Sequence, residues 1–149
     1  MSKVEAKLKE IGVELRELPK PKFTLVHAKK FGNLMFVSGH GCEVFGKCGA
    51  DLTTEDGYKA ARETAITLLS AIKGELGDLD KVKSIVKLLG FVNSDPNFKE
   101  QPAVINGASD LFVEVFGEDI GMHARTAVGL AALPRGIAVE IEMIIEVED

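Results

Sequence analysis

The stretch that decides the fold is residues 123–147, HARTAVGLAALPRGIAVEIEMIIEV. Its last nine residues alternate between two sets of side chains, which is the two-residue period of a β-strand with one buried face. Pro134 and Gly136 favour a turn before this strand, and residues 126–133 are rich in small and β-favouring types. The pattern therefore predicts a terminal β-hairpin. One side of its second arm carries Val139, Ile141, Met143, Ile145 and Val147, and the other carries Glu140, Glu142, Ile144 and Glu146.

A single hairpin would bring Arg125 near Glu140 and Glu142. A planar cation beside carboxylates can bind a carboxylate-bearing ligand and keep an acid or base close to it. The commoner explanation of such a pattern is a surface ion pair between the two strands. Glu142 is also consistent with a structural role, as an ion partner of Arg125 or Arg135.

The N-terminal third predicts a helix and then a hairpin. Ser2 is a suitable N-cap for a short helix that ends at Gly12, and two prolines keep the lead-in to residue 22 extended. Residues 24–31 and 34–39 are β-favouring runs joined by two residues, Gly-Asn, which is a typical hairpin connection.

Two long helices and one buried strand occupy the middle of the chain. The first helix begins at Thr53 or Thr54 and ends near Gly77, and the apolar strand covers about residues 83–92. The second helix runs from about Gln101 to Gly117, and loops are expected at residues 40–52 and 118–122. These elements predict an α+β fold with one sheet of five to six strands and both long helices on one face. The other face is partly apolar, so we expect subunits to cover it for one another.

Composition restricts the classes of protein to which the chain can belong. A length of 149 residues fits one domain, here 1–149, and no apolar run reaches the roughly 20 residues of a membrane helix. The N-terminus lacks a signal-peptide pattern, which predicts a cytoplasmic protein. A net charge of -5 with no Trp and one Tyr argues against nucleic acid as a partner. Cys42 and Cys48 are expected to be free thiols, and their spacing does not suit zinc, so no metal site is predicted.

The chain resembles the Rid family of reactive-intermediate deaminases, also called YjgF-like or L-PSP endoribonuclease-like. The resemblance covers residues 23–149, and residues 1–22 lie outside the common core. It rests on residues 31–39, FGNLMFVSG, and on Ala124-Arg125-Thr126, Val128-Gly129, Ala131, Leu133-Pro134 and Val139-Glu140-Ile141-Glu142. The longer N-terminus and residues 104–110, VINGASD, resemble one subgroup of this family.

The resemblance implies a chorismate-mutase-like homotrimer with pockets between subunits. It also implies hydrolysis of imino and enamino acids to keto acids and ammonia, without any cofactor. Arg125 matches the family's carboxylate-binding arginine, and Glu140 matches the acid that handles the attacking water. Ser38 and Gly39 match positions in the same pocket.

Three positions depart from the best-studied branch of the family. Thr24 and Leu25 stand where a pocket Tyr is found, and Ala127 replaces a Cys two residues after the arginine. The pocket Asn of the last helix aligns with either Asn106 or Ser109.

Two other functions are consistent with the sequence. The missing Tyr and Cys favour a non-catalytic trimer that binds a small carboxylate such as a 2-keto acid. The family name also includes endoribonuclease activity, but the acidic charge and the lack of a basic stripe argue against it.

Overall fold

The computed structural model describes residues 2–149, and it has an α+β architecture with one sheet and two long helices on one face. The helices are α1 (Lys3–Glu10), α2 (Thr54–Leu76) and α3 (Gln101–Gly121); the strands are β1 (Ala28–Phe31), β2 (Leu34–Gly41), β3 (Val82–Asn93), β4 (Ala124–Leu130) and β5 (Val139–Val147); 3-10 turns lie at Leu79–Lys81 and Pro134–Gly136. The predicted fold class is confirmed. No helix within residues 2–149 is long and apolar enough to cross a membrane.

The sheet has the strand order β1-β2-β5-β3-β4. β3 pairs with β5 in antiparallel and with β4 in parallel orientation. The predicted terminal hairpin is therefore wrong, because β3 lies between its two arms. The reason is the crossover: α3 carries the chain back along the sheet, so β4 joins β3 in parallel, and residues 131–138 then pass the end of β3 to reach β5.

The predicted alternation of β5 is confirmed. Val139, Ile141, Met143, Ile145 and Val147 are all buried beneath the helices. Glu140, Glu142, Ile144 and Glu146 are half-buried or exposed on the opposite side. This second side of the sheet is called the open face below.

The helix boundaries follow the predicted capping signals closely. Ser2 and Thr53 each form a capping box at the start of α1 and α2, and Gly77 ends α2 at φ 78°. α3 is longer than predicted: Gly117 interrupts it at φ 80°, but one further helical turn follows to Gly121. The expected loop at residues 118–122 is therefore mostly helix.

The predicted first hairpin is confirmed around Gly32, which has φ 62°, but its first arm is shorter than expected. Only Ala28–Phe31 pair as a strand, while residues 24–27 precede it. The register of β2 is irregular between Val37 and His40, and this irregularity interrupts regular pairing beyond Val37.

Both cysteines are free, as the sequence predicts, and both are buried. Burial raises the pKa of the Cys48 thiol to about 11, and the negative charge of Asp56 adds to the effect. A thiol with so high a pKa is a weak nucleophile at neutral pH.

Gly107 lies where α3 packs closely against α2, and Gly107→Ala is expected to destabilise the protein. An added Cβ would lie 2.0 Å from the backbone carbonyl oxygen of Tyr58 on α2. Helix propensity alone favours Ala by about 1 kcal/mol. The overlap should outweigh that gain, so we expect the free energy of unfolding to fall by about 2 kcal/mol or more. Urea denaturation measures this change.

Gly74→Ala is the matched control, since Gly74 is also helical but has no atom within 4 Å of an added Cβ. We expect it to raise the free energy of unfolding by about 0.5 kcal/mol. Equal effects of the two substitutions would contradict this account of Gly107.

Candidate functional site

Arg125 points to the helix face of the sheet and contacts α3. It lies opposite Leu88 of β3, which is fully buried beneath the helices. Its Nη1 group donates to Asn106 Oδ1 at 2.7 Å and to Ser109 Oγ at 3.2 Å. Asn106 and Ser109 are three residues apart and so share one face of α3. Both alternatives for the pocket Asn position therefore contact the same guanidinium.

The guanidinium of Arg125 is held only by neutral groups in the part of the chain that the structure describes. Within residues 2–149 no carboxylate lies within 4 Å of it, and its Nε and Nη2 groups make no hydrogen bond. Two acceptors orient one edge of the guanidinium and leave the other edge available. Such a guanidinium is suited to bind a carboxylate in two-point fashion.

His123 contacts Ser109, which in turn contacts Arg125. Its Nε2 lies 2.9 Å from Ser109 Oγ, and its Nδ1 lies 2.7 Å from the carbonyl oxygen of Gly121. His123 was not among the residues predicted for the site. No periodicity in the sequence marks this contact, because His123 precedes β4 and the path of the backbone after α3 sets its neighbours.

Glu140 lies on the open face, opposite Phe91 of β3 and Gly41 of β2. An added Cβ on Gly39 would lie 2.7 Å from Glu140 Oε2, so the carboxylate rests against the bare backbone of Gly39. Burial raises the pKa of Glu140 above its ordinary value, and the charge of Glu142 raises it further. A raised pKa makes this carboxylate a better base than an exposed glutamate.

Ser38 and Gly39 belong to the irregular part of β2. The Ser38 hydroxyl donates to the carbonyl oxygen of Val26 at 2.6 Å, and the Ser38 carbonyl accepts from His40 Nδ1 at 2.6 Å. Ser38 and Glu142 also line an open groove of about 630 Å³. His40 was expected in a loop, but it lies in β2. Its Nε2 atom lies 3.0 Å from Nδ1 of His27.

Arg125 and Glu140 do not meet within one chain. Arg125 and Met143 both lie opposite Leu88 of β3, so Arg125 points to the same face as Met143. Glu140 is three residues from Met143 and therefore points to the opposite face. Two strand spacings and three residues place their Cα atoms roughly 14 Å apart. Both the surface ion pair and the shared single-chain site expected from a hairpin are therefore wrong.

Glu142 does not serve as an ion partner of Arg125 or Arg135. Arg135 pairs with Glu43 at 3.4 Å, and Arg125 makes only the neutral contacts described above. Glu142 shares the open face with Glu140, where its charge acts on the neighbouring carboxyl group. Ala127 lies opposite Gly90 on the same side of β4 as Arg125 and is half-buried.

The chain matches a known protein family over most of its length. Residues 7–144 match the family described as "YjgF/chorismate_mutase-like, putative endoribonuclease", and the chain belongs to this family, to which the Rid proteins also belong.

Among individual proteins, the chain is 44% identical to Protein TCP17 of Trypanosoma cruzi, over 99% of this chain and 96% of that protein. The crystal structure of Atu1372 from Agrobacterium tumefaciens, of unknown function, matches with a TM-score of 0.89 and 41% identity, covering 99% of this chain and 93% of that one. A Shewanella oneidensis protein, described with the same endoribonuclease wording as the family, matches with a TM-score of 0.93 and 28% identity, covering 98% and 100%. These alignments span nearly the whole chain, so they extend through the N-terminal helix.

Proposed function

We propose that this protein hydrolyses reactive 2-imino and 2-enamino acids to 2-keto acids and ammonia without a cofactor. The observation that carries the proposal is the Arg125 guanidinium, which two neutral side chains orient and which no carboxylate neutralises within residues 2–149. An oriented guanidinium without an ion partner can bind the carboxylate of a small ligand. The net charge of -5 disfavours a polyanion such as nucleic acid as the alternative ligand.

The proposed reaction needs one positioned carboxylate and one base. Arg125 holds the substrate carboxylate and thereby fixes the adjacent imine carbon. Glu140 accepts a proton from a water molecule as its oxygen adds to that carbon, and the proton passes to the nitrogen. The hydroxyl proton of the adduct then moves to the same nitrogen as the carbon–nitrogen bond breaks and the carbonyl forms, so that water and imino acid become keto acid and ammonia.

We further propose that the site forms between subunits of a homotrimer. Support comes from the single chain, in which Arg125 and Glu140 lie on opposite faces of the sheet. Arg125 is on an edge strand, where a neighbouring subunit can approach it. The open face also exposes large apolar side chains, including Phe36 (45% exposed) and Val128 (39% exposed), which a second copy would cover.

The test is the release of ammonia or keto acid from freshly generated 2-aminoacrylate. The proposed deaminase accelerates this release above the rate in buffer. If the protein binds 2-ketobutyrate in calorimetry but gives no acceleration, the non-catalytic binding module replaces the deaminase.

The activity is expected to fall in acid as Glu140 becomes protonated. Because burial and the charge of Glu142 raise the pKa of Glu140, kcat/KM should begin to fall at a pH above the ordinary glutamate value of about 4.3. Removing the neighbouring charge in Glu142→Gln favours the ionised form of Glu140, so the acid limb should move to lower pH. Profiles of kcat/KM against pH for both proteins measure the shift, and coincident profiles would show that Glu142 does not act on the base.

A further inference from the structure

We infer that His123 is a positioning residue, which acts through Ser109 to fix the carboxylate-binding guanidinium of Arg125. This inference rests on the proposed function for its ligand class, but its geometry is that of the unliganded protein. The residues form a continuous chain of hydrogen bonds from Gly121 through His123 and Ser109 to Arg125.

The direction of each hydrogen bond follows from the groups at the two ends. The carbonyl oxygen of Gly121 can only accept, so His123 Nδ1, 2.7 Å away, carries a hydrogen. In the neutral ring Nε2 is then an acceptor, and Ser109 donates to it at 2.9 Å. Arg125 can only donate, so the Ser109 oxygen accepts from Nη1 at 3.2 Å.

This arrangement commits the single hydroxyl proton of Ser109 to His123. The Ser109 oxygen therefore presents lone pairs to the guanidinium. Without His123, a helical serine can donate to the backbone carbonyl of the preceding turn, which would rotate its oxygen away from Arg125. The second acceptor, Asn106, would then hold Nη1 alone.

The position of His123 is itself well determined. The imidazole packs edge-on against the Phe112 ring, with centroids 6.4 Å apart and an interplanar angle of 86°. Gly121 lies in the last turn of α3, and an added Cβ there would lie 2.8 Å from the Phe112 carbonyl oxygen. The close approach of Gly121 to Phe112 therefore fixes the place of the carbonyl group to which His123 donates.

The first test uses nitrogen NMR of the Arg125 side chain in the unliganded protein. We expect slowed rotation of the guanidinium in the wild type and faster rotation in His123→Ala and in Ser109→Ala. His123→Gln offers a carbonyl oxygen near the place of Nε2 and should restore the slow rotation in part. Equal rotation in all of these proteins would overturn the inference. This measurement does not depend on turnover, so its failure is distinguishable from failure of the deaminase proposal.

The second test is a double-mutant cycle read by KM and by 2-ketobutyrate binding. His123→Ala should raise KM and weaken binding about tenfold, the loss expected from one weakened hydrogen bond to a charged group, and should change kcat much less. In a Ser109→Ala background the same substitution should have no further effect, because its action passes through Ser109. Additive effects of the two substitutions would assign His123 a separate structural role and overturn the inference.

Discussion

Arg125→Ala is expected to lower kcat/KM for imine hydrolysis about a thousandfold, because it removes two charge-assisted hydrogen bonds to the substrate carboxylate, each contributing about 1.5–3 kcal/mol. The loss should appear in binding as well as in rate, since the carboxylate is present in both substrate and transition state. Release of ammonia from 2-aminoacrylate measures the rate, and calorimetry with 2-ketobutyrate measures the binding.

Two control substitutions separate loss of the two-point contact between Arg125 and the substrate carboxylate from loss of charge or of folding. Arg125→Lys keeps the positive charge but not the planar fork, so it should recover only part of the activity. Arg62→Ala removes an arginine that pairs with Glu114 between the two long helices, and it should leave activity unchanged. An Arg125→Ala protein with wild-type activity would refute the proposed mechanism.

Mixing two inactive variants is expected to restore activity if the site is shared between subunits. The Arg125→Ala variant lacks the guanidinium that binds the substrate carboxylate. The Glu140→Gln variant lacks a base that raises the rate about 10²- to 10⁴-fold, so each variant alone should be nearly inactive. In a mixed trimer, a site that takes Arg125 from one variant and Glu140 from the other is complete. Random mixing at equal amounts would rebuild about one quarter of all sites.

The mixing experiment needs co-expression with two different tags, so that mixed trimers can be purified and weighed by native mass spectrometry. Arg125→Ala mixed with the Arg125→Ala/Glu140→Gln double variant is the control, because no combination of those subunits contains an intact site. Confirmed mixed trimers without activity would show that Arg125 and Glu140 do not form one site across an interface.

The local elements of the fold could be predicted because their signals are local. The alternation of residues 139–147 predicts a half-buried strand, and all five apolar residues of that strand are buried. Thr53 and Gly77 mark the two ends of α2 correctly, because capping depends on the backbone within one turn. The main local error was the end of α3, where Gly117 interrupts the helix but does not end it.

Part of the candidate site was also predictable from sequence. Arg125, Asn106 and Ser109 were expected at one site, and they are in contact. His123 was overlooked as a contact of Ser109. The path of the backbone after α3 determines that contact, and no periodicity in the sequence records it.

By itself, the sequence determined most of the helices and strands and the buried side of β5, since these depend on neighbours close along the chain. Only the tertiary structure decided that β3 lies between β4 and β5, because strand order depends on pairing between distant segments. That order turns Arg125 and Glu140 to opposite faces of the sheet. The two side chains are therefore not partners in one hairpin, and the proposed reaction needs a second subunit to bring them together.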